Sequence, residues 1–387
     1  MRTSLVFSRR VWSVLVAGAC LAIGPACFAQ GAKQPAPATG PVAPPEDDET
    51  IKKLKEGSAE EFIETNDGVY IQVNLWLPKD AGKNTPVVVL LHMRGKSQRD
   101  WFPLAKQLHE DGMAVLTFDF RGHAESRRTN PELYRDPATQ DRMDKDRRAR
   151  NATGNRVITQ GSRERMRDQD KSKATVDSID HASEFRNGRD YCRFLARDLQ
   201  AVKHFLVEQN NAGRLNIRRL GVVAAGEGCS VAMQWLDDFE YKDPVMTGRT
   251  RLGGDLSALV LVSPIWNYMG MKPPVSFGEG SEQLPILLIS GDKDKTAADA
   301  RRFAKLMRIP ENPSAKATTG SKVRPNSVWI KENSTLEGTD LVRTGEFKID
   351  AKIRGFLQGR LTSDVRLAWE RRSLDEDNSG FGIGREP

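Results

Sequence analysis

Short, strongly apolar segments alternate with amphipathic helical patterns along most of this chain. The apolar segments are rich in Val, Leu and Ile, which is typical of strands that are covered on both faces. A chain that alternates strands and helices forms a mostly parallel sheet with helices on both sides, and its ligands bind at the carboxyl ends of the strands. The predicted strands cover residues 68–78, 86–92, 113–120, 220–225, 256–264, 284–291 and 326–332, and the predicted helices cover residues 101–112, 191–206, 229–239, 297–307 and 347–361.

One segment, LGVVAAGEGCSVA at residues 220–232, has the pattern of a buried strand, a glycine-rich turn and the start of a helix. Ala224 and Gly228 place small residues two positions before and two positions after Gly226. Small residues at this spacing allow one backbone to pass close to another in a tight turn. Gly226, at the centre of the turn, has no side chain and therefore offers no nucleophilic, acidic or basic group.

Four further segments lie at predicted strand ends or in predicted loops. They are LLHMRG at residues 90–95, DFRGHAES at 119–126, GDKD at 291–294 and LEGTDLV at 336–342. In type and order, these segments and the turn at residues 220–232 resemble those of the α/β-hydrolases, and DFRGHAES is the most specific match. The resemblance covers about residues 61–361, apart from a charged insertion, and it implies the α/β-hydrolase fold.

The resemblance also assigns positions to the catalytic groups of a serine hydrolase. It places Gly226 at the nucleophile position of the G-x-S-x-G turn and Asp294 at the position of the triad acid. Glu337 stands where the family has the triad histidine. The groups at the oxyanion site correspond to His92, Met93 and Glu227.

A general base is missing from the expected place. The histidines of the chain are His92, His109, His123, His181 and His204. The triad of this fold runs in the order Ser, acid, His, yet no histidine follows the turn at Gly226. Both the nucleophile and the base are therefore absent from their positions, and we expect a pseudo-hydrolase that acts by binding.

An esterase or peptidase with a displaced active site is the alternative. The segment from Gly228 to Ala232 also fits small-x-Ser-x-small, which would make Ser230 the nucleophile. That alignment extends the buried strand through Gly226 and Glu227, and both residues are unfavourable inside such a strand. We therefore expect Ser230 to lie on a helix.

The acids near the predicted turn suggest a second kind of site. Glu227, Glu337 and Asp294 could form an acidic pocket, which would require a shared proton or a bound cation. No histidine pair has the spacing of a metal site, and we predict neither a metal nor a cofactor.

The predicted domain covers residues 50–371 and is flanked by segments of other types. Residues 1–29 have the basic and apolar regions of a signal peptide, so we expect export to a periplasmic or extracellular space. Neither cysteine in that segment has a leucine three residues earlier, so a lipoprotein anchor is not favoured. Residues 30–49 form a linker rich in Pro and Ala, and residues 372–387 a disordered tail.

The mature chain would keep two cysteines, Cys192 and Cys229. They could form one disulfide or remain buried thiols. Each lies in a helical pattern where a small apolar side chain fits, so we favour buried thiols.

A charged insertion, at about residues 127–187, interrupts the strand and helix pattern. The whole chain carries a net charge of +7, and residues 127–173 contain 14 Lys and Arg against 8 Asp and Glu. This segment is either a solvated loop or an arm that binds an anionic polymer or an envelope surface. Tyr134 is the only aromatic residue among residues 127–173, which argues against specific nucleic-acid binding. The other expected partner is a small molecule of unknown type, and the sequence gives no oligomeric state.

Overall fold

A computed structural model describes most of the chain after residue 47. The described residues are 48–134, 178–185, 187–241, 253–274, 281–311, 324, 326–362 and 367–372. The predicted signal peptide, nearly all of the linker and most of the charged insertion lie outside them. No helix among these residues is long and apolar enough to cross a membrane.

The described residues contain one eight-stranded sheet. Its strands are β1 (Ser58–Glu64), β2 (Tyr70–Trp76), β3 (Val87–Leu91), β4 (Ala114–Phe118), β5 (Leu220–Ala225), β6 (Leu256–Val262), β7 (Ile286–Gly291) and β8 (Val328–Glu332). Their order across the sheet is β1-β2-β4-β3-β5-β6-β7-β8. β2 pairs antiparallel with β1 and β4, and the pairs from β4 to β8 are all parallel.

Helices cover both faces of this sheet, as the alternating sequence pattern predicts. They are α1 (Asp48–Lys55), α2 (Phe102–Glu110), α3 (His181–Glu184), α4 (Gly188–Asn211), α5 (Glu227–Trp235), α6 (Ala297–Leu306), α7 (Gly338–Arg343) and α8 (Ile349–Leu361). Buried side chains of α2 and α8 form one core with one face of the sheet. Those of α4, α5 and α6 form a second core with the opposite face.

The central strands show why the sequence folds in this way. All six residues of β5 are buried, and alternate side chains enter opposite cores. Val222 packs with α4 and α5, whereas Val223 packs with α2 and α8. A strand with two buried faces needs an uninterrupted apolar run, and the chain supplies one at each parallel strand of the centre.

The first strand and three short helices, α1, α3 and α7, have no counterpart in the predicted elements. Most residues of β1, with the sequence SAEEFIE, are exposed at the edge of the sheet, so apolar periodicity does not reveal it. α1 starts at Asp48, within the predicted linker, and α7 has only six residues. These elements are too short or too polar for a pattern of buried residues.

Arg372, the first residue of the predicted C-terminal tail, is buried and hydrogen-bonded in the structure. The guanidinium of Arg372 is buried and forms an ion pair with Asp255, and its backbone N–H donates to Asn211 at 2.8 Å. The ordered segment therefore includes this residue. Residues 373–387 lie outside the described part of the chain.

Both cysteines of the described chain are buried free thiols, as predicted. Burial raises the pKa of the Cys192 thiol to about 12 and that of Cys229 further still. The Cys229 thiol donates to the carbonyl oxygen of Ala224 at 3.3 Å. Both side chains are therefore parts of the core rather than reactive groups.

Candidate functional site

Gly226 forms the turn between β5 and α5. Its backbone dihedrals are φ 53° and ψ −121°, a conformation that strains any residue with a side chain. Its N–H donates to the carbonyl oxygen of Val262 at 3.0 Å, and its own carbonyl accepts from the N–H of Cys229 at 3.1 Å. The strand ends one residue before this glycine, so Gly226 stands at the centre of the strand-to-helix turn.

Gly228 explains why the turn needs a small residue after its centre. A Cβ at this position would lie 2.7 Å from the carbonyl oxygen of His92 and 3.1 Å from that of Leu91. The first turn of α5 therefore packs directly against the backbone at the end of β3.

Met93 fills the space beside the turn. A Cβ built on Gly226 would lie 2.9 Å from Met93 Cε and 3.0 Å from Met93 Cγ. A Cβ built on Gly338, at the start of α7, would lie 2.1 Å from Met93 Sδ. One thioether side chain thus occupies the volume between position 226 and the segment that begins at Glu337.

His92 is held by backbone groups on both of its ring nitrogens. Its Nε2 accepts from the N–H of Phe120 at 3.0 Å, which leaves Nδ1 to donate to the carbonyl oxygen of Met93 at 2.7 Å. Burial lowers the pKa of His92 to about 4. The imidazole is therefore neutral at neutral pH and fixes the loop after β3.

The DFRGH turn after β4 is held by a buried arginine. Arg121 bonds to Asp67 at 2.7 and 3.0 Å and to Asp198 at 2.8 Å, and all three side chains are buried. His123 Nδ1 contacts the carbonyl oxygen of Arg121 at 3.1 Å. The most specific motif of the sequence therefore ties β4 to α4 and to the turn before β2.

The Glu227 carboxylate is bound by backbone amides beside the turn. It accepts a hydrogen bond from the backbone N–H of Arg94 at 3.2 Å, and a second from its own backbone N–H. Burial raises the pKa of this carboxyl, and the neighbouring Glu337 carboxylate raises it further. An acid that accepts bonds from these amides competes with any developing oxyanion.

Asp294 is oriented by neighbours other than histidine. Its carboxylate accepts from Ser263 Oγ at 3.2 Å, from the N–H of Gly291 at 3.1 Å and from Thr296 Oγ1 at 3.0 Å. Burial raises its pKa, and these hydrogen bonds oppose the rise. The residue stabilises the loop after β7.

One of the three acids predicted to form a pocket, Glu337, is paired with a largely exposed lysine of the chain. Lys295 Nζ forms an ion pair with Glu337 Oε1 at 2.6 Å. Glu337 raises the pKa of Lys295, and the charges of Glu227 and Asp294 add to this rise. The other oxygen of Glu337 is buried without a hydrogen-bond partner. Lys295 is therefore the cation that three neighbouring acids require. The described residues hold no group of three His, Cys, Asp or Glu side chains suited to a metal ion.

Ser230 lies on α5, and its hydroxyl is bound to a backbone carbonyl. It is 1% exposed, and its hydroxyl donates to the carbonyl oxygen of Ile265 at 3.2 Å. This geometry fits a helix residue and counts against its use as a displaced nucleophile.

Three residues that the sequence reasoning did not select lie beside the turn. The guanidinium carbon of Arg94 lies 5.7 Å from the ring centroid of Tyr191 and 5.9 Å from that of Tyr268. The two tyrosine rings are 5.1 Å apart. Arg94 belongs to the quoted LLHMRG segment, but the tyrosines lie at the start of α4 and after β6, and no local motif links them.

Comparisons with known proteins give resemblances at low sequence identity. No protein-family model matches the chain, and no curated protein matches it. A Pyrococcus furiosus esterase structure is 15% identical, with a TM-score of 0.47, over 80% of this chain and 94% of its own. A Pyrobaculum calidifontis esterase is 13% identical, with a TM-score of 0.47, over 80% and 89%. A Coxiella burnetii α/β serine hydrolase homologue is 14% identical, with a TM-score of 0.38, over 77% and 95%.

The fold assignment depends on the chain's own topology. β2 is antiparallel within an otherwise parallel run, β3 lies between β4 and β5, and helices cover both faces. A sharp strand-to-helix turn follows the central strand β5. These features show that the chain has the α/β-hydrolase fold.

Proposed function

We propose that this protein is a non-hydrolytic member of the α/β-hydrolase fold that acts by binding a ligand at the carboxyl edge of the sheet. The observation that carries the proposal is the turn after β5. Its central residue is Gly226, and Met93 fills the space into which a nucleophilic side chain would project. A glycine cannot attack a carbonyl carbon, so the step that defines a serine hydrolase lacks its reagent.

Two further positions support the same proposal independently. The Glu227 carboxylate accepts the N–H of Arg94 in the loop after β3, and the family resemblance places an oxyanion-stabilising amide in that loop. Glu337, at the position that the family resemblance assigns to the triad histidine, pairs with Lys295. All five histidines of the chain lie among the described residues, and none of them hydrogen-bonds to Asp294.

A fluorophosphonate, which phosphonylates an activated serine with loss of fluoride, tests this proposal. We expect the intact mass of the purified protein to remain unchanged after exposure, because no serine is activated by a base. A serine hydrolase of the same fold serves as the positive control. A stoichiometric adduct that maps to Ser230 and disappears in Ser230→Ala would overturn the proposal.

We further propose that the protein is exported after cleavage near residue 29. The proposal is supported by the basic and apolar segments of residues 1–29 and by the Pro-rich segment that follows. Fractionation of cells that express the full chain, with N-terminal sequencing of the product, is the test. An uncleaved chain in the cytoplasmic fraction would contradict the proposal.

We also propose, from the sequence alone, that the charged insertion binds an anionic polymer or an envelope surface. It is supported by the excess of arginine in residues 127–173, of which residues 135–173 lie outside the described chain. Retention on a sulfated resin that falls steeply with salt would support it, and salt-insensitive behaviour would count against it.

A further inference from the structure

The carboxyl edge of the sheet contains a buried phenol without a hydrogen-bond partner. Tyr191 is fully buried in the first turn of α4, and its hydroxyl finds no acceptor or donor among the described residues. Buried polar atoms normally have a partner, so an orphaned hydroxyl next to a functional edge indicates a missing ligand group or water. The pKa of Tyr191 is raised by burial and by Glu227, while Arg94 lowers it.

Arg94 is the cation nearest to this phenol. Its guanidinium lies over the rings of Tyr191 and Tyr268, and it bonds to the weakly accepting sulfur of Met269 at 3.3 Å. Burial raises the pKa of the Tyr268 phenol, and the charge of Arg94 lowers it. No carboxylate of the described residues lies within ion-pair distance of it. When a guanidinium stacks on aromatic rings, its N–H groups point outwards in its own plane. They can then donate two parallel hydrogen bonds to an anion in that plane.

The loop that carries Tyr268 is held firmly in place. Tyr268 and Met271 exchange backbone hydrogen bonds at 2.9 Å, and the N–H of Gly188 donates to the carbonyl oxygen of Met269 at 3.3 Å. A Cβ at Gly188 would lie 1.9 Å from the carbonyl oxygen of Tyr268, so the start of α4 and this loop are in direct backbone contact. The two tyrosines are therefore positioned by the fold before any ligand arrives.

We propose that Arg94, Tyr191 and Tyr268 bind the carboxylate of a small organic acid, with the guanidinium fork and the Tyr191 hydroxyl as donors and the tyrosine rings against the body of the ligand. The proposal rests on the proposed function, since a protein that acts by binding needs a ligand at this edge. A single negative charge suits the site, because Glu227 lies nearby and disfavours a second one. An inorganic phosphate dianion is therefore the weaker ligand.

Calorimetric titration of the purified protein with phenylacetate tests this inference. Phenylacetamide supplies the same body without the charge, phenethylamine reverses the charge, and inorganic phosphate supplies a different anion. We expect phenylacetate to bind in the millimolar range and at least about tenfold more tightly than each of the other three.

Variants of the protein separate the contributions of the donors. Arg94→Gln should weaken phenylacetate binding by about tenfold or more, and Arg94→Lys should restore part of it because it keeps the charge without the fork. Tyr191→Phe should weaken binding about tenfold without lowering the melting temperature, because the lost hydroxyl has no partner in the protein. Arg99→Gln removes the same charge from an exposed position and should leave binding unchanged.

Three results would overturn the inference. They are the absence of saturable phenylacetate binding up to about 20 mM, equal binding of acid and amide, and unchanged affinity in Arg94→Gln. Each of these results leaves the fluorophosphonate experiment unaffected, so a non-hydrolytic protein without this ligand class remains distinguishable. Conversely, a labelled serine together with Arg94-dependent phenylacetate binding would contradict the proposed function but support the carboxylate site.

Discussion

The Met93 side chain lies where a side chain at Gly226 would have to be: a Cβ at Gly226 would be 2.9 Å from Met93 Cε. The backbone of the turn nevertheless has the strained conformation, with φ at 53°, that presents a side chain at the end of the central strand. The turn therefore has the backbone shape of a nucleophile turn, while the Met93 side chain fills the space in front of it. This relationship supports the proposal of a hydrolase fold without hydrolase chemistry, and it leads to the first prediction.

Introducing a serine at position 226 should destabilise the protein for two reasons, backbone strain at positive φ and steric overlap with Met93. Gly226→Ser should lower the free energy of unfolding by about 1–3 kcal/mol, because a side chain at positive φ is strained and meets the methionine. The combined Gly226→Ser and Met93→Ala protein should lose less stability than the sum of the two single changes. A double-mutant cycle in urea measures this coupling, and strict additivity would show that Met93 does not occupy the site.

Arg121 should be among the most sensitive positions of the fold. Arg121→Leu leaves the carboxylates of Asp67 and Asp198 buried without their partner, which costs about 3–5 kcal/mol. Arg127→Ala is the matched control, because the pair of Arg127 with Asp180 is about half exposed at 3.6 Å and should change stability by under about 0.5 kcal/mol. Equal effects of the two changes on the urea midpoint would contradict this assignment.

The buried histidines should make the protein less stable in acid. Burial lowers the pKa of His92 to about 4, and burial together with His92 and His181 lowers that of His123 to about 2. Below pH 6.5 the unfolded chain binds protons at these residues that the folded protein does not. Each of them therefore removes up to about 1.4 kcal/mol of stability per pH unit as the pH falls from 6.5 towards its folded pKa.

Histidine NMR checks this pH dependence directly. The imidazoles of His92 and His123 should remain neutral at pH 5.5, whereas an exposed histidine is mostly protonated there. Burial also raises the pKa of Asp119 to about 6, and this carboxyl acts in the opposite direction between about pH 6 and 4. A titration midpoint near 6.5 for both His92 and His123 would contradict their assignment as buried neutral rings.

Arg372 should contribute to stability although it stands at the end of the described chain. Arg372→Ala removes a buried guanidinium from Asp255, which keeps Lys203 at 3.0 Å, so we expect a loss of about 2 kcal/mol. Arg371→Ala, at the exposed neighbouring residue, is the control and should be neutral. If both variants melt at the wild-type temperature, the segment that ends at Arg372 does not stabilise the domain.

The sequence predicted the architecture because the central strands are buried on both faces. An uninterrupted run such as that of β5 leaves few other structures for the chain, and the segments at the strand ends then identified the fold. The exposed edge strand β1 was missed because its residues face water and carry no apolar alternation. Arg372 was assigned to a disordered tail because its partner, Asp255, is distant in sequence.

The candidate site could be predicted only in part, for the same physical reason. Gly226, Glu227 and Asp294 lie in local motifs and could be selected from the sequence. The pairing of Lys295 with Glu337 and the stacking of Arg94 on two tyrosines join distant segments. Such contacts arise only after the sheet has brought its strand ends together.

Hydrolysis of short-chain nitrophenyl esters tests the central claim most directly. Purified wild-type protein should show no turnover above buffer, and Ser230→Ala should behave in the same way, because the hydroxyl of Ser230 is bound to the carbonyl oxygen of Ile265. Saturable turnover by the wild-type protein that is lost in Ser230→Ala would contradict the account, since it would identify a working nucleophile four residues beyond Gly226.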